Sequence, residues 1–218
     1  MSLAEENYLK AIYALEVSPS LPVSTNEIAK RLNAKASSVT DMLKKLSEKG
    51  YVDYQKYQPA QLTEKGRLLA LNVIRKHRLW EYFLVEKLNF GWEEVHDIAE
   101  QLEHIQSKEL TNRLEKFLGY PKYDPHGDPI PDRDGNMKDT LDFVLLNSKI
   151  DSKVKVVGVK IHDKSFLQYL DRLGIGLGSE IDVLEKLEFD QSLKIKLNSK
   201  ESLFVSSEVS KNIFVQPV

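Results

Sequence analysis

The chain has 218 residues, enough for one large domain or two to three small ones, and its 41% hydrophobic and 29% charged content is that of a folded globular protein, which excludes disorder as the default. It contains no cysteine, which excludes disulfides, thiol catalysis, iron–sulfur clusters and thiolate zinc sites and leaves only nitrogen and oxygen to hold a metal. The formal net charge of −2 does not announce a nucleic-acid binder, yet between Ile28 and Tyr57 seven basic residues stand against three acidic ones, a local patch able to meet phosphate. In chain order, Tyr8, Ile12 and Leu15 recur at helical spacing and predict a helix from about Ala4 to Glu16, broken by Val17-Ser18-Pro19-Ser20-Leu21-Pro22. Ser24-Thr25-Asn26-Glu27 reads as a capping box, with the Ser24 hydroxyl accepting from the Glu27 amide and the Glu27 carboxylate reaching back to the Ser24 amide. It opens a second helix that buries Ile28 and Leu32. A turn at Asn33-Ala34-Lys35 leads to a third helix, Ser37 to Lys49, whose Val39, Met42, Leu43 and Leu46 form an i, i+3, i+4, i+7 stripe, with Gly50 as C-cap. Tyr51 to Tyr54 and Ala60 to Leu62 read as two short strands.

Downstream, a long helix is predicted from Thr63 to about Leu88, and two shorter ones near Trp92 to Ile105 and Ser107 to Leu118. Tyr123 to Met137 is rich in Pro, Gly and Asp and reads as an ordered loop. From Val154 the character changes to short β segments at Val154–Val159, Ile181–Leu184, Leu193–Leu197 and Leu203–Val205, interrupted by a helix from about Ser165 to Arg172. Apolar runs such as Phe143 to Leu146 are far too short to span a bilayer. Met1 to Glu6 has neither the basic nor the apolar region of a secretory signal, so a cytoplasmic protein with no membrane partner is expected. The fold class expected is α+β.

Two constellations carry the functional reading. Two short helices, a tight turn and a β-hairpin are the parts of a winged helix-turn-helix, in which the second helix enters the major groove and its N-terminal residues reach base edges. Ser37, Ser38 and Thr40 suit contacts to bases and phosphates, Asp41 can accept from cytosine, and Lys35, Lys44, Lys45, Lys49 and Lys56 suit phosphate neutralisation. The alternative is a helical hairpin with a solvated lysine face. The second constellation is a His/Glu cluster. His77 and Glu81 are i, i+4 on one helix, and on the next His96, Glu100, Glu103 and His104 fall within an arc of roughly 100°. Imidazoles and carboxylates on one stripe form a mixed nitrogen/oxygen site for a first-row divalent ion, with pairs on two helices able to hold two ions. The alternative is a set of surface ion pairs and core histidines. His126 reads as a loop-ordering hydrogen-bond partner. His162-Asp163 could lend a ligand from the C-terminal segment. Asp132 to Asn136 hints at a calcium loop but lacks the 12-residue spacing and closing Glu. No P-loop, G-x-G-x-x-G or G-x-S-x-G is present.

Ser37-Ser38-Val39-Thr40, Arg75-Lys76-His77-Arg78-Leu79 with Glu81, Val95-His96-Asp97 followed by Glu100 and Glu103-His104, and the loop Pro125-His126-Gly127-Asp128-Pro129-Ile130-Pro131 together resemble the diphtheria toxin repressor / manganese transport regulator family of metal-dependent repressors. The resemblance covers essentially the whole chain. It implies a winged helix-turn-helix over 1–63, a helical dimerisation and metal-binding domain over 64–137, a linker over 138–152 and a small SH3-like (FeoA-like) β domain over 153–218. It further implies a homodimer, double-stranded operator DNA as partner, and two metal sites per subunit. One site would use His77, Glu81 and His96 with a carboxylate at Asp163, the other Glu100, Glu103 and His104 with Asn7 from the N-terminal helix. Iron-type members have cysteine at Glu100 and methionine at Asn7, manganese-type members carboxylates at both. Glu100 therefore matches the manganese type, Asn7 is a neutral departure, and Lys10 stands where one manganese-type subgroup has a further carboxylate. Mn²⁺ is the expected ion, with Fe²⁺ the alternative. The rival functions are a metal-dependent hydrolase, and a winged-helix regulator sensing a non-metal ligand. A hydrolase needs an open coordination position and a cleft, and the helix-turn-helix and the lack of H-E-x-x-H oppose it.

Overall fold

The computed structural model describes residues 1–18, 22–56, 58–138, 143–200 and 202–218. Pro19-Ser20-Leu21 of the expected break and part of the expected linker lie outside the described residues. The chain forms two compact units: Met1–His77 with Gln101–Thr111 and Pro131–Met137, and Arg78–Glu100 with Asn112–Ile130 and Lys138–Val218.

The first unit holds α1 (Leu3–Glu16), α2 (Thr25–Arg31), α3 (Ala36–Glu48), the hairpin β1 (Val52–Asp53) and β2 (Gln61–Leu62), and the start of α4 (Glu64–Leu88). The hairpin pairs Val52 with Leu62 and Asp53 with Gln61, antiparallel. Leu9, Ile12, Ile28, Val39, Leu43 and Leu46 are fully buried in one core, so the helical stripe expected on the third helix is its packing face. The capping box sits at α1 and not at α2: Ser2 and Glu5 exchange side chain and backbone. Ser24 does accept from the Glu27 amide, but its own N–H donates to the Pro22 carbonyl, so the reciprocal half expected there is not made. α3 ends in a Schellman closure. Gly50, at φ +69, donates its N–H to Ser47, and Tyr51 donates to Leu46. The wing is tied down by Glu16, whose carboxylate accepts from the Leu62 amide and from Arg67, both at 2.6 Å.

The second unit carries a five-stranded antiparallel sheet in the order β6-β5-β4-β3-β7, with β3 Ser152–Val159, β4 Glu180–Lys186, β5 Leu193–Leu197, β6 Ser202–Val205 and β7 Ile213–Pro217. This meets the expectation of a small C-terminal β domain. The amphipathic helix α7 (Lys164–Leu173) buries Leu167 and Leu170 in the sheet's core. The strand β7 and the short helix α8 (Ser207–Ser210) have no counterpart in the sequence reading: β7 offers only two buried side chains, Ile213 and Val215, too few to show a period. The helix expected over Trp92 to Ile105 is shorter, α5 spanning Val95–Leu102, and α6 spans Lys108–Phe117. Among the described residues no helix is long and apolar enough to cross a membrane.

Gly66 is required by close approach: a Cβ there would lie 1.9 Å from the Tyr51 carbonyl oxygen. Gly66→Ala should therefore lower the stability of the first unit by about 1–3 kcal/mol, even though alanine is the better helix former by about 1 kcal/mol. Urea unfolding followed by hydrogen exchange of α1 and α3 checks this, and unchanged or raised protection would contradict it.

Candidate metal centre and nucleic-acid interface

Helix α1 buries two consecutive carboxylates, Glu5 and Glu6, at 1% and 2% exposure. Burying a charge costs several kcal/mol unless it is paired, and each has partners in a different direction. Glu5 receives Lys49 at 2.6 Å and Lys45 at 3.0 Å, both from the end of α3. The Lys49 hydrogen bond is the largest influence on its carboxyl. It outweighs burial, and with Lys45 it brings the group down to about 2.

Glu6 accepts from His104 Nδ1 at 2.6 Å and from Gln106 Nε2 at 2.8 Å, and Lys76 Nζ stands 3.8 Å away. Burial pushes the Lys76 ammonium below its usual range, against the pull of Glu6 and Glu103. Glu103, also buried, meets His77 Nδ1 at 2.6 Å and Lys10 Nζ at 2.7 Å, while its Oε1 lies 3.8 Å from His104 Nε2. Burial pushes the Glu103 carboxyl up, but His77 and Lys10 overcome that and hold it below its ordinary value. Two carboxylates and an imidazole are donor types that suit a hard or borderline divalent ion.

The structure gathers Glu103, His104 and His77 from the sequence-derived set, but not on one helical stripe. α5 ends at Leu102, so Glu103 and His104 lie in the following turn and leave the arc that His96 and Glu100 begin. Glu100 is 55% exposed and 3.6 Å from His96 Nε2. Asn7 is exposed, one residue out of phase with the face of α1 that is buried, and the α1 carboxylate at His104 is that of Glu6.

A second cluster forms in the other unit. Ligand atoms of Glu81, Asp124 and His126, all buried, lie within 4.8 Å of one another. His96 Nδ1 is 3.4 Å from Glu81 Oε1, and His77 stands one helical turn before Glu81 on α4. His126 donates Nε2–H to the Trp92 carbonyl at 2.9 Å, leaving a buried Nδ1 with no hydrogen bond, 3.7 Å from Glu81 Oε2. Burial opposes a charge on His126, yet the Glu81 carboxylate beside it, with Asp124, pushes it up to about 9. Burial, with repulsion from Glu81 and Asp128, raises Asp124 to about 7. An orphaned buried imidazole nitrogen facing a carboxylate fits a cation. The sequence reading gave His126 only a role in loop ordering and passed over Asp124; the Asp124-Pro125-His126 spacing in a stiff loop was the available signal. Gly127 holds the loop in place at φ +91, where a Cβ would lie 2.4 Å from Gly158 Cα. Asp163, expected as a ligand, caps α7: its Oδ1 accepts from Ser165 and Phe166. Its neighbour His162 stacks on His126 with ring centroids 4.7 Å apart.

Of the residues expected to meet DNA, Lys35, Ser37, Ser38, Asp41, Lys44, Lys45 and Lys56 are exposed and Thr40 is half-buried. Lys44 pairs with Asp41 at 3.7 Å, and Lys45 is held by Glu5. Ser24, Thr25, Asn26 and Thr40 line a concavity with Tyr54, Lys56, Gln58 and Pro59 of the wing.

Comparison with known proteins decides the family. Residues 1–60 match the family model described as iron dependent repressor, N-terminal DNA binding domain. Residues 63–132 match its metal binding and dimerisation domain, and 144–217 a FeoA domain. The diphtheria toxin repressor of Corynebacterium diphtheriae is 30% identical over 207 residues, covering 90% of this chain and 89% of that protein. The chain belongs to the diphtheria toxin repressor / manganese transport regulator family. The iron-dependent repressor IdeR of Mycobacterium tuberculosis is 40% identical over 126 residues, 58% of this chain; the match spans about half, 54%, of that relative's length. A solved manganese-dependent transcriptional repressor in complex with manganese is 35% identical, with a TM-score of 0.81, covering 98% of this chain and all of that one.

Because Glu5 titrates near 2 in the fold against 4.5 for an ordinary glutamate, its stabilisation is complete above pH 4.5 and is lost as pH falls toward 2. Glu5→Gln should lower the protection of α1 and α3 by roughly 1–3 kcal/mol at pH 7, with the difference from the natural protein shrinking below pH 4. Hydrogen exchange across pH 3–7 measures it; a difference independent of pH would contradict the pairing.

Proposed function

We propose that this protein is a divalent-metal-activated, DNA-binding transcriptional repressor, acting as a homodimer on operator DNA in the cytoplasm, with Mn²⁺ as the ion and Fe²⁺ as the alternative. The observation that carries the reading is the pairing of Glu5 and Glu6: adjacent residues of one helix, one bound to the recognition helix α3 and the other to His104 beside Glu103. An ion held there supplies a double positive charge between Glu6, Glu103 and His104. With α1 so tied to the turn after α5, Glu5 fixes Lys45 and Lys49, and through them the angle at which α3 presents Ser37, Ser38, Thr40 and Lys44 to the major groove. Such a tie acts only if one arrangement of α1 binds the ion more tightly than the other, and a tenfold gain in operator affinity requires about 1.4 kcal/mol of coupling.

Oxygen-rich donors without any thiolate support Mn²⁺. Glu81, Asp124 and His126, with His96 of α5 3.4 Å from Glu81, form the second of two sites per subunit in this reading. The segments 1–63, 64–137 and 153–218 serve as DNA-binding, metal-binding and dimerising, and accessory β domains. Leu88, Phe117 and Tyr120, apolar side chains left exposed, supply surface for a dimer.

Two variants separate the ligands drawn from the family pattern from those drawn from burial. In a DNA-binding titration with Mn²⁺, Glu103→Gln should leave a folded protein whose DNA affinity no longer rises with metal. Glu6→Gln should lose at least about tenfold of the metal response, and Asn7→Ala less than about threefold. Full activation of Glu103→Gln would overturn the metal reading of this cluster; a large loss in Asn7→Ala with none in Glu6→Gln would move the α1 ligand back to Asn7.

A further inference from the structure

Lys10 stands in the same cluster, on the same helix as Glu6 and one turn further along. Its Nζ is 2.7 Å from Glu103 Oε2 and 3.4 Å from His77 Nδ1, and His77 Nδ1 is itself 2.6 Å from that same Oε2. At 2.6 Å two acceptors would repel, so a proton lies between Nδ1 and Oε2. Oε2 therefore takes two donors, and both of its lone pairs are used. Glu103 is 1% exposed and Lys10 only 23%, so the ammonium is held against the carboxylate with little water to screen it. The ammonium thus donates to Oε2 and stands beside the His77 ring nitrogen, within the group of side chains offered to a metal ion.

We propose that Lys10 is a tethered cation that competes with the divalent ion for Glu103 and so sets the metal concentration at which the protein responds. The inference rests on the metal reading given above. In the metal-free protein the ammonium neutralises Glu103 and keeps α1 against the turn that carries it. Glu103 would offer a metal ion its Oε1 while Oε2 is held by Lys10 and His77, and withdrawal of the ammonium would free a lone pair of Oε2. The competition is a matter of charge as well as space: a single positive charge beside a buried carboxylate raises the potential an incoming cation experiences, and removing it strengthens attraction to the cluster.

The test is a calorimetric titration of the full-length protein with MnCl₂, beside thermal melting of the metal-free protein in chelator, for the natural protein and for Lys10→Gln, Lys10→Arg and Glu103→Gln. Glu103→Gln identifies the binding step that belongs to this cluster. If Lys10 is the competing cation, Lys10→Gln tightens that step by about tenfold or more and lowers the melting temperature in chelator, whereas Lys10→Arg, which keeps the charge, binds Mn²⁺ no more tightly than the natural protein. Unchanged or weaker Mn²⁺ affinity in folded Lys10→Gln overturns the proposal, as it would show Lys10 to be a support for the ligands rather than a rival. Should Lys10→Gln not fold, tighter binding in Lys10→Arg overturns it and unchanged or weaker binding upholds it. If Glu103→Gln retains every Mn²⁺ step, the metal reading of the cluster itself has failed, independently of Lys10.

Discussion

Two carboxylates buried side by side near the start of α1 constrain the first unit more than any other feature. Glu5 and Glu6 lie about 100° apart around the helix, so they cannot share a partner, and neither can be left unpaired without a cost of several kcal/mol. Glu5 is answered by the lysines at the end of the recognition helix, and Glu6 by His104 and Gln106 from the turn after α5. α1 is thereby tied at one side to the end of α3 and at the other to an electrostatically crowded cluster. The apolar core of Leu9, Ile12, Ile28, Leu43 and Leu46 supplies the cohesion; the two carboxylates determine how α1 is oriented within it.

The cluster at the other end of that member is a balance of charge. Glu6 and Glu103 are matched by Lys10, Lys76 and two imidazoles, with Lys76 weakened by its own burial. If the proposed ion binds there, it would take the place of weaker and more mobile cations. In the other unit, Glu81, Asp124 and His126 solve the same problem differently. They are buried with Arg78 3.6 Å from Asp124; burial and neighbouring carboxylates push Asp124 up, and Glu81 and Asp124 push His126 up. Both arrangements are consistent with sites that exchange protons or ammonium groups for metal.

Much of this was legible in the sequence. The stripe Val39, Leu43, Leu46 gave α3 and Gly50 its end, and the His/Glu residues were marked as a group though not in their arrangement. What escaped has physical reasons. Whether a capping box closes depends on where the preceding backbone N–H goes, and at Ser24 it goes to Pro22. A helical arc drawn through Glu103 and His104 assumes that the helix continues, whereas α5 stops at Leu102. The exposure of Asn7 and burial of Glu6 are set by which face of α1 meets the core, a choice that a one-residue phase error reverses. Asp124 and His126 come from a loop without periodicity, positioned by the contact of Gly127 with Gly158 that only the fold reveals. The strand β7 is recognised by its partner β3 rather than by its own residues.

The central claim is that Glu5 transmits between metal and DNA. The most direct measurement is Mn²⁺ affinity with and without a DNA fragment selected by the natural protein, compared between that protein and Glu5→Gln. Linkage requires DNA to tighten Mn²⁺ binding by the same factor as Mn²⁺ tightens DNA binding. The account predicts that Glu5→Gln still binds Mn²⁺ at the Glu103 cluster and still binds DNA weakly, while the coupling factor falls toward one. A Glu5→Gln protein whose coupling equals that of the natural protein would contradict it.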